Sequence, residues 1–216
     1  YFPFDGSAEN RMKYTASGNP VSVHWVPDRT GTPAHAAYFD RAAYVDLPPL
    51  VLNDLPTGSI ALWVAWDGSN SLQALTSKQR DNDNTWGVLS INGYAGLGGQ
   101  PTIGDAGRLY YHGSHEHMTG RTSVLQSRTV LTPDRWYHVA VTWDAQAMRL
   151  YVDGRLQATA PCVRCDISPN TTADVISRIG DWVPDGRRFR FGGRLDELRI
   201  YDRVLRVEEI RTLASR

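Results

Sequence analysis

His112, His115 and His117 stand close together, and Cys162-Val-Arg-Cys165 is the one Cys-x-x-Cys in the sequence. Imidazole and thiolate side chains of this kind hold zinc. One cysteine pair is only half of a zinc site, and the histidine spacing matches neither a helical nor a finger pattern. Cys162 and Cys165 therefore read as a short-loop disulfide if the protein is exported, or as two free thiols if it is not. Asp81-Asn-Asp-Asn84 resembles the start of a calcium loop, but no Gly follows at the sixth position and no Glu at the twelfth, so a solvated turn is expected. Glycoside hydrolysis needs a separated carboxylate pair. Of the five Glu, only Glu208 and Glu209 are close together, on a segment with helical spacing. No Gly-x-Ser-x-Gly elbow, phosphate loop or Cys nucleophile with a marked partner occurs, so catalysis is not expected.

Binding chemistry is better supplied. Trp86, Tyr94, Tyr111 and Trp182 fall in or beside predicted loops, with His112 next to Tyr111. The segment Asp181-Trp-Val-Pro-Asp-Gly-Arg-Arg-Phe-Arg190 brings Arg187 and Arg188 near Trp182. An aromatic face stacks on sugar C–H groups, and Arg grips a carboxylate or sulfate with two parallel hydrogen bonds. The combination suits a carbohydrate ligand, an anionic glycan in particular. The alternative for the same rings is core or rim packing.

These side chains must be positioned by strands. Asp, Gly, Pro, Asn and Ser are plentiful and Lys and Glu scarce: 21 of the 23 basic residues are Arg, and 18 of the 23 acidic ones are Asp. That composition, with seven Trp and ten Tyr, favours turns and strands over helices. The zero net charge gives no global attraction to nucleic acid or anionic lipid. No apolar run approaches the ~18–20 residues needed for membrane insertion. The opening Tyr-Phe-Pro-Phe-Asp is neither a signal peptide nor an initiator, so the sequence is expected to begin within a longer protein carrying other domains.

Alternation of period two marks the elements. In Ser59 to Trp66, Ile60, Leu62, Val64 and Trp66 share one face; in Trp136 to Trp143, Tyr137, Val139, Val141 and Trp143 do. Asp153-Gly154 accepts the positive φ angles of a tight hairpin turn between Arg149–Val152 and Arg155–Gln157. Further strands are expected over 21–26, 37–47, 72–77, 86–92, 108–112, 121–131, 175–179 and 189–201. Leu205, Val207, Ile210 and Leu213 give one short amphipathic helix. A dozen short strands require two sheets, so one all-β sandwich domain over 1–216 is expected.

Five pieces in order carry a family resemblance: Tyr1-Phe-Pro-Phe-Asp-Gly; Ala37-Tyr-Phe-Asp with Ala43-Tyr-Val-Asp-Leu-Pro; Trp136-Tyr-His-Val-Ala-Val-Thr-Trp-Asp; Leu150-Tyr-Val-Asp-Gly; and Gly193-Arg-Leu-Asp-Glu-Leu-Arg-Ile-Tyr-Asp-Arg-Val-Leu. Together they resemble the laminin-G-like branch of the concanavalin A-like jelly rolls. The resemblance implies an antiparallel two-sheet jelly roll. It also implies a structural Ca²⁺ where the first strand meets the last, held by Asp5 and Asp196, with the Gly6 carbonyl and Asn10 completing the oxygen ligands. Asp196 shares the alternating face of Leu198 and Ile200, which sends its carboxylate toward the interior and calls for a partner. The Glu-x-Asp-x-x-Glu motif of the family's glucanases and the Gln-Ile-His of its alginate lyases are absent. The expectation is a non-catalytic, calcium-stabilised carbohydrate-binding module of an extracellular or cell-surface protein. A protein-interaction or adhesion module of the same fold is the alternative.

Overall fold

The computed structural model describes residues 1–12, 16–49, 51–80, 84–93, 105–116, 121–162, 167, 176–182 and 188–216; at 79–80, 84–86, 114–116 and 121–123 it describes the backbone alone. Of the residues singled out in the sequence, Asp81-Asn-Asp, Tyr94, His117, Cys165 and Arg187 lie outside the described residues, as do the side chains of Trp86 and His115.

Fourteen strands are found among the described residues: β1 Asn19–Val21, β2 His24–Val26, β3 Ala36–Asp40, β4 Tyr44–Asp46, β5 Gly58–Trp66, β6 Gln73–Arg80, β7 Asn84–Ile91, β8 Arg108–Glu116, β9 Arg121–Val130, β10 Trp136–Trp143, β11 Ala147–Val152, β12 Arg155–Pro161, β13 Ile176–Ile179 and β14 Gly192–Tyr201. They form two seven-stranded antiparallel sheets. The front sheet runs β1-β4-β13-β6-β7-β8-β9 and the back sheet β12-β11-β10-β5-β14-β3-β2. One helix, α1 Val207–Ala214, follows. The β-sandwich expected from alternation is the observed fold.

Two expected strands are each split between the sheets. Over 21–26 the chain leaves β1 in the front sheet and enters β2 in the back sheet through Ser22, at φ 55°. Over 37–47 it passes from β3 to β4 at Arg41, at φ 68°, where the Asp40 carboxylate accepts the amides of Ala42 and Ala43 at 2.8 and 3.1 Å. A side-chain cap on a left-handed residue makes the corner, a signal that hydrophobic alternation does not carry. The Asp153-Gly154 turn is as expected, with φ 47° and 70°.

The inward faces interleave Ile60, Leu62, Val64, Val139 and Val141 from the back sheet with Leu75, Leu89, Leu109 and Leu125 from the front. Trp143 is fully buried there and donates its indole hydrogen to the Leu55 carbonyl at 2.9 Å. Each sheet also has a covered patch outside. On the back, Leu205 and Ile210 close over Ala61, Ala140 and Tyr151. Arg206 precedes α1 without a Ser or Thr cap, and the Glu209 carboxylate accepts its amide at 2.8 Å. On the front, Trp182 and Phe189 cover Leu72, Ala74, Val88 and Tyr110.

Candidate functional site

The outward face of the front sheet holds a concentration of charge at β13, β4 and the segment leading into β14. Val45 and Ile179 point into the core, so their neighbours Tyr44, Asp46 and Arg178 point out. Beyond β13 the chain makes a two-stranded stem: Trp182 accepts the Phe189 amide at 2.8 Å, and Gly180 accepts the Phe191 amide at 3.0 Å. Gly180 has φ 78°, and a Cβ there would meet Phe39 at 2.6 Å, so only glycine lets the stem lie this close. The Asp181 carbonyl accepts Ser77 Oγ at 2.7 Å, which pins the stem to β6.

That stem leaves the Asp181 carboxylate 0 % exposed among three guanidiniums. Arg178 Nη1 lies 3.1 Å and Arg188 Nη1 3.4 Å from Oδ2, and Arg190 Nε is 4.0 Å from Oδ1. Arg178 also donates from Nε to Asp46 at 2.7 Å. The Tyr44 ring lies 4.4 Å from the Arg178 guanidinium and 5.8 Å from that of Arg190. Three cations thus face two carboxylates beside an aromatic ring. Among the described residues, the buried atoms Asp181 Oδ1 and Arg190 Nε have no hydrogen-bond partner. Arg188 is 49 % exposed and presents its charge to solvent. Such an excess of guanidinium can take an oxyanion from outside.

Of the residues expected to bind ligand, Arg188 is in this cluster. Trp182 is not a surface platform: it is 4 % exposed and packs on Phe189 with centroids 5.4 Å apart. The reason is the apolar outer patch of the front sheet, which needs a large cover. Tyr111 points inward, fully buried and stacked on Trp143 at 6.1 Å, and burial pushes its phenol up from the ordinary value. His112 points outward but is buried, in register with Val88 and Val124. Sequence reasoning missed Arg178, Tyr44 and Asp46. The alternation about Val45 and Ile179 marks them as outward, but the pairing of β13 with β4 is not written in either segment.

Asp5, Asn10 and Asp196, three of the residues expected to hold Ca²⁺, each have another partner at a side-chain oxygen. Asp5 pairs with Arg11 at 2.7 Å and His35 at 3.0 Å. Asn10 Oδ1 accepts the Tyr1 and Met12 amine and amide nitrogens, both at 3.1 Å, and the Gly6 amide donates to the Phe4 carbonyl at 2.9 Å. Asp196 receives Arg29 Nη1 at 2.5 Å. Asp196 also departs from its expected facing. A bulge with Glu197 at φ 54° puts Asp196 on the outer face opposite Trp63, while Leu195 and Leu198 stay in the core. The extra residue resets the period-two pattern. Among the described residues, no group of three or more His, Cys, Asp and Glu side chains could hold a metal ion. With both carboxylates already paired with protein cations, these residues do not fit a Ca²⁺ site.

A family model for concanavalin A-like lectins and glucanases, of the laminin-G type, matches residues 39–211. The chain belongs to that superfamily. No sequence among curated proteins matches it. Among solved structures, domain 4 of AbnA, a GH43 extracellular arabinanase from Geobacillus stearothermophilus, in complex with arabinotriose, is similar at TM-score 0.74 and 17 % identity, covering 99 % of this chain and 96 % of that one. The CBM40 of the Ruminococcus gnavus IT-sialidase, bound to α2,3-sialyllactose, is similar at TM-score 0.62 and 18 % identity, covering 91 % and 96 %. The binding domain of Paraclostridial Mosquitocidal Protein 1 is similar at TM-score 0.60 and 14 % identity, covering 92 % of this chain and 47 % of that one. At such identities the likeness shows the shared fold. This member of the superfamily has a disulfide at Cys162, and among the described residues no helix is long and apolar enough to cross a membrane.

Proposed function

We propose that this chain is a non-catalytic carbohydrate-binding module that takes an acidic glycan at the Asp181 cluster. The carrying observation is the convergence of Arg178, Arg188 and Arg190 on one buried carboxylate beside Tyr44. Asp181 and Asp46 hold the guanidiniums in place, and the surplus positive charge faces outward through Arg188. A sugar carboxylate or sulfate supplies the missing anion, while the Tyr44 ring offers an edge for the adjoining C–H surface. Solved relatives of this fold in complex with arabinotriose and with α2,3-sialyllactose support saccharide as the ligand class. The disulfide at Cys162 supports an oxidising location, at the cell surface or outside the cell, as part of a larger protein.

The test is calorimetric titration with α2,3-sialyllactose and, as its neutral counterpart, lactose. The acidic sugar should bind with an affinity that falls as salt rises. Arg188→Ala should weaken it about tenfold, the loss of one charge-assisted contact, and Tyr44→Ala should weaken both sugars. Equal binding of sialyllactose by the parent and by folded Arg188→Ala would reject the site.

A further inference from the structure

At one end of the sandwich, away from the Asp181 cluster, a cavity of about 400 Å³ opens between the N-terminal segment, the turn at 51–55 and the end of β14. That volume lies in the range of about 300–1,000 Å³ common for small-ligand sites. Phe2, Leu52 and Ile200 give it an apolar wall, the rings of Tyr1 and Tyr201 line it, and Asp202 stands at its edge.

The charges around it select the ligand. The Arg199 guanidinium lies 4.0 Å from the Tyr1 ring centroid and that of Arg203 5.6 Å from Tyr201, so the attraction of these rings for a cation is already met from within the protein. Both guanidiniums are in turn neutralised: Arg199 bonds to Glu197, and Arg203 reaches both oxygens of Glu209 at 2.9 and 2.8 Å. The Asp202 side chain is exposed and makes no hydrogen bond or ion pair with a described residue. An anionic ligand would meet that carboxylate, and a cationic one would find both rings already taken by guanidiniums. A wholly apolar one would leave a carboxylate facing it without hydrogen bonds. A neutral polyhydroxylated molecule satisfies all three conditions, with its C–H face on the apolar wall and Tyr201, and two hydroxyls donating to Asp202.

We infer that this cavity is a second saccharide site, for a neutral sugar unit, separate in place and charge preference from the acidic site on the front sheet. It rests on the reading of the chain as a carbohydrate-binding module. Binding should be followed by calorimetry and by amide shifts in two-dimensional NMR, using arabinotriose, xylotriose and lactose as neutral probes and α2,3-sialyllactose as the acidic one. At least one neutral probe should shift amides of residues 198–202 and 51–55. Asp202→Asn and Tyr201→Ala should each weaken that probe tenfold or more and leave sialyllactose binding unchanged, and Arg188→Ala should do the reverse. Asp202→Asn keeps the side chain's shape, so it reads the site without disturbing the fold. The inference is overturned if neutral probes bind with no shift at 198–202, if Asp202→Asn leaves their affinity unchanged, or if sialyllactose alone binds. If no probe binds, the carbohydrate reading falls with it.

Discussion

Two aspartates are buried against arginine on opposite sides of this sandwich, and their surroundings differ in one respect. On the back sheet, Asp196 is 3 % exposed and meets one guanidinium, that of Arg29, at 2.5 Å. Arg29 also lies 4.8 Å from the Trp63 ring and donates to the Arg216 carbonyl at 3.0 and 3.1 Å. Arg199, nearby, is spent on Glu197. Arg29 and Arg199 there each have a carboxylate of their own. On the front sheet, Asp181 is buried still more deeply but is shared by three guanidiniums, one of which, Arg178, holds Asp46 as well. Among the described residues the front cluster holds three guanidiniums against two carboxylates, and the proposed acidic ligand answers that difference.

Removing one cation from each cluster separates the two and gives the largest expected effect. Arg29→Ala removes the charge-assisted bond to Asp196, and because burial then favours the protonated carboxyl it should cost about 1.5–3 kcal/mol at pH 8 in chemical denaturation, the usual worth of a hydrogen bond to a charged group. Arg188→Ala takes a half-exposed arginine from a carboxylate that keeps two others, and should cost less than about 1 kcal/mol. The comparison breaks if the two variants lose similar stability.

Acidity gives a smaller effect. Burial pushes the Asp196 carboxyl up to about 7, with Arg29 opposing and Glu197 and Asp28 adding to the rise. Burial pushes His138, which meets Trp63 at 5.4 Å, down to about 4, helped by Arg29 and Arg199. For Asp196 the folded state binds the proton more tightly than the unfolded state, so its contribution to stability is present below pH 4 and is lost as pH rises toward 7. For His138 the unfolded state binds the proton more tightly, so stability is lost as pH falls from about 6.5 toward 4. The two slopes oppose each other between pH 4 and 6.5. Asp196→Asn removes the first, and its unfolding free energy should therefore drop more steeply on acidification than the parent's. Parallel profiles would show that Asp196 does not titrate in this window.

The same contrast explains how much could be read beforehand. The sandwich, the hairpin at Asp153-Gly154 and the closing helix follow from side-chain periodicity, which local sequence carries. Arg188 stands out because it lies in a run of arginines. Arg178 does not, because its place beside Asp181 depends on β13 lying beside β4, 132 residues earlier in the chain at Asp46. At Trp182 the packing alternative holds for a related reason: an aromatic in a loop looks free until the sheet beneath it is known to need a cover. At Asp196 a single bulged residue reversed the face that alternation assigns. Local pattern gives elements and inward faces; long-range pairing and register faults decide which polar groups meet.

The smallest expected effect concerns calcium, and it tests the Asp196 cluster most directly. A divalent ion at Asp196 would have to displace Arg29, which is held by the carboxylate, by Trp63 and by the Arg216 carbonyl, and Asp5 is engaged by Arg11 and His35. Only a ligand that binds the folded state in preference to the unfolded one raises the melting temperature. Melting in EGTA and in millimolar calcium should therefore agree to within about 1 °C, given that about 1 kcal/mol shifts a domain of this size by roughly 2–4 °C. Arg29 acts here as the cation the site requires. A rise in melting temperature with calcium that Asp196→Asn abolishes would show instead that the arginine yields its place to the metal.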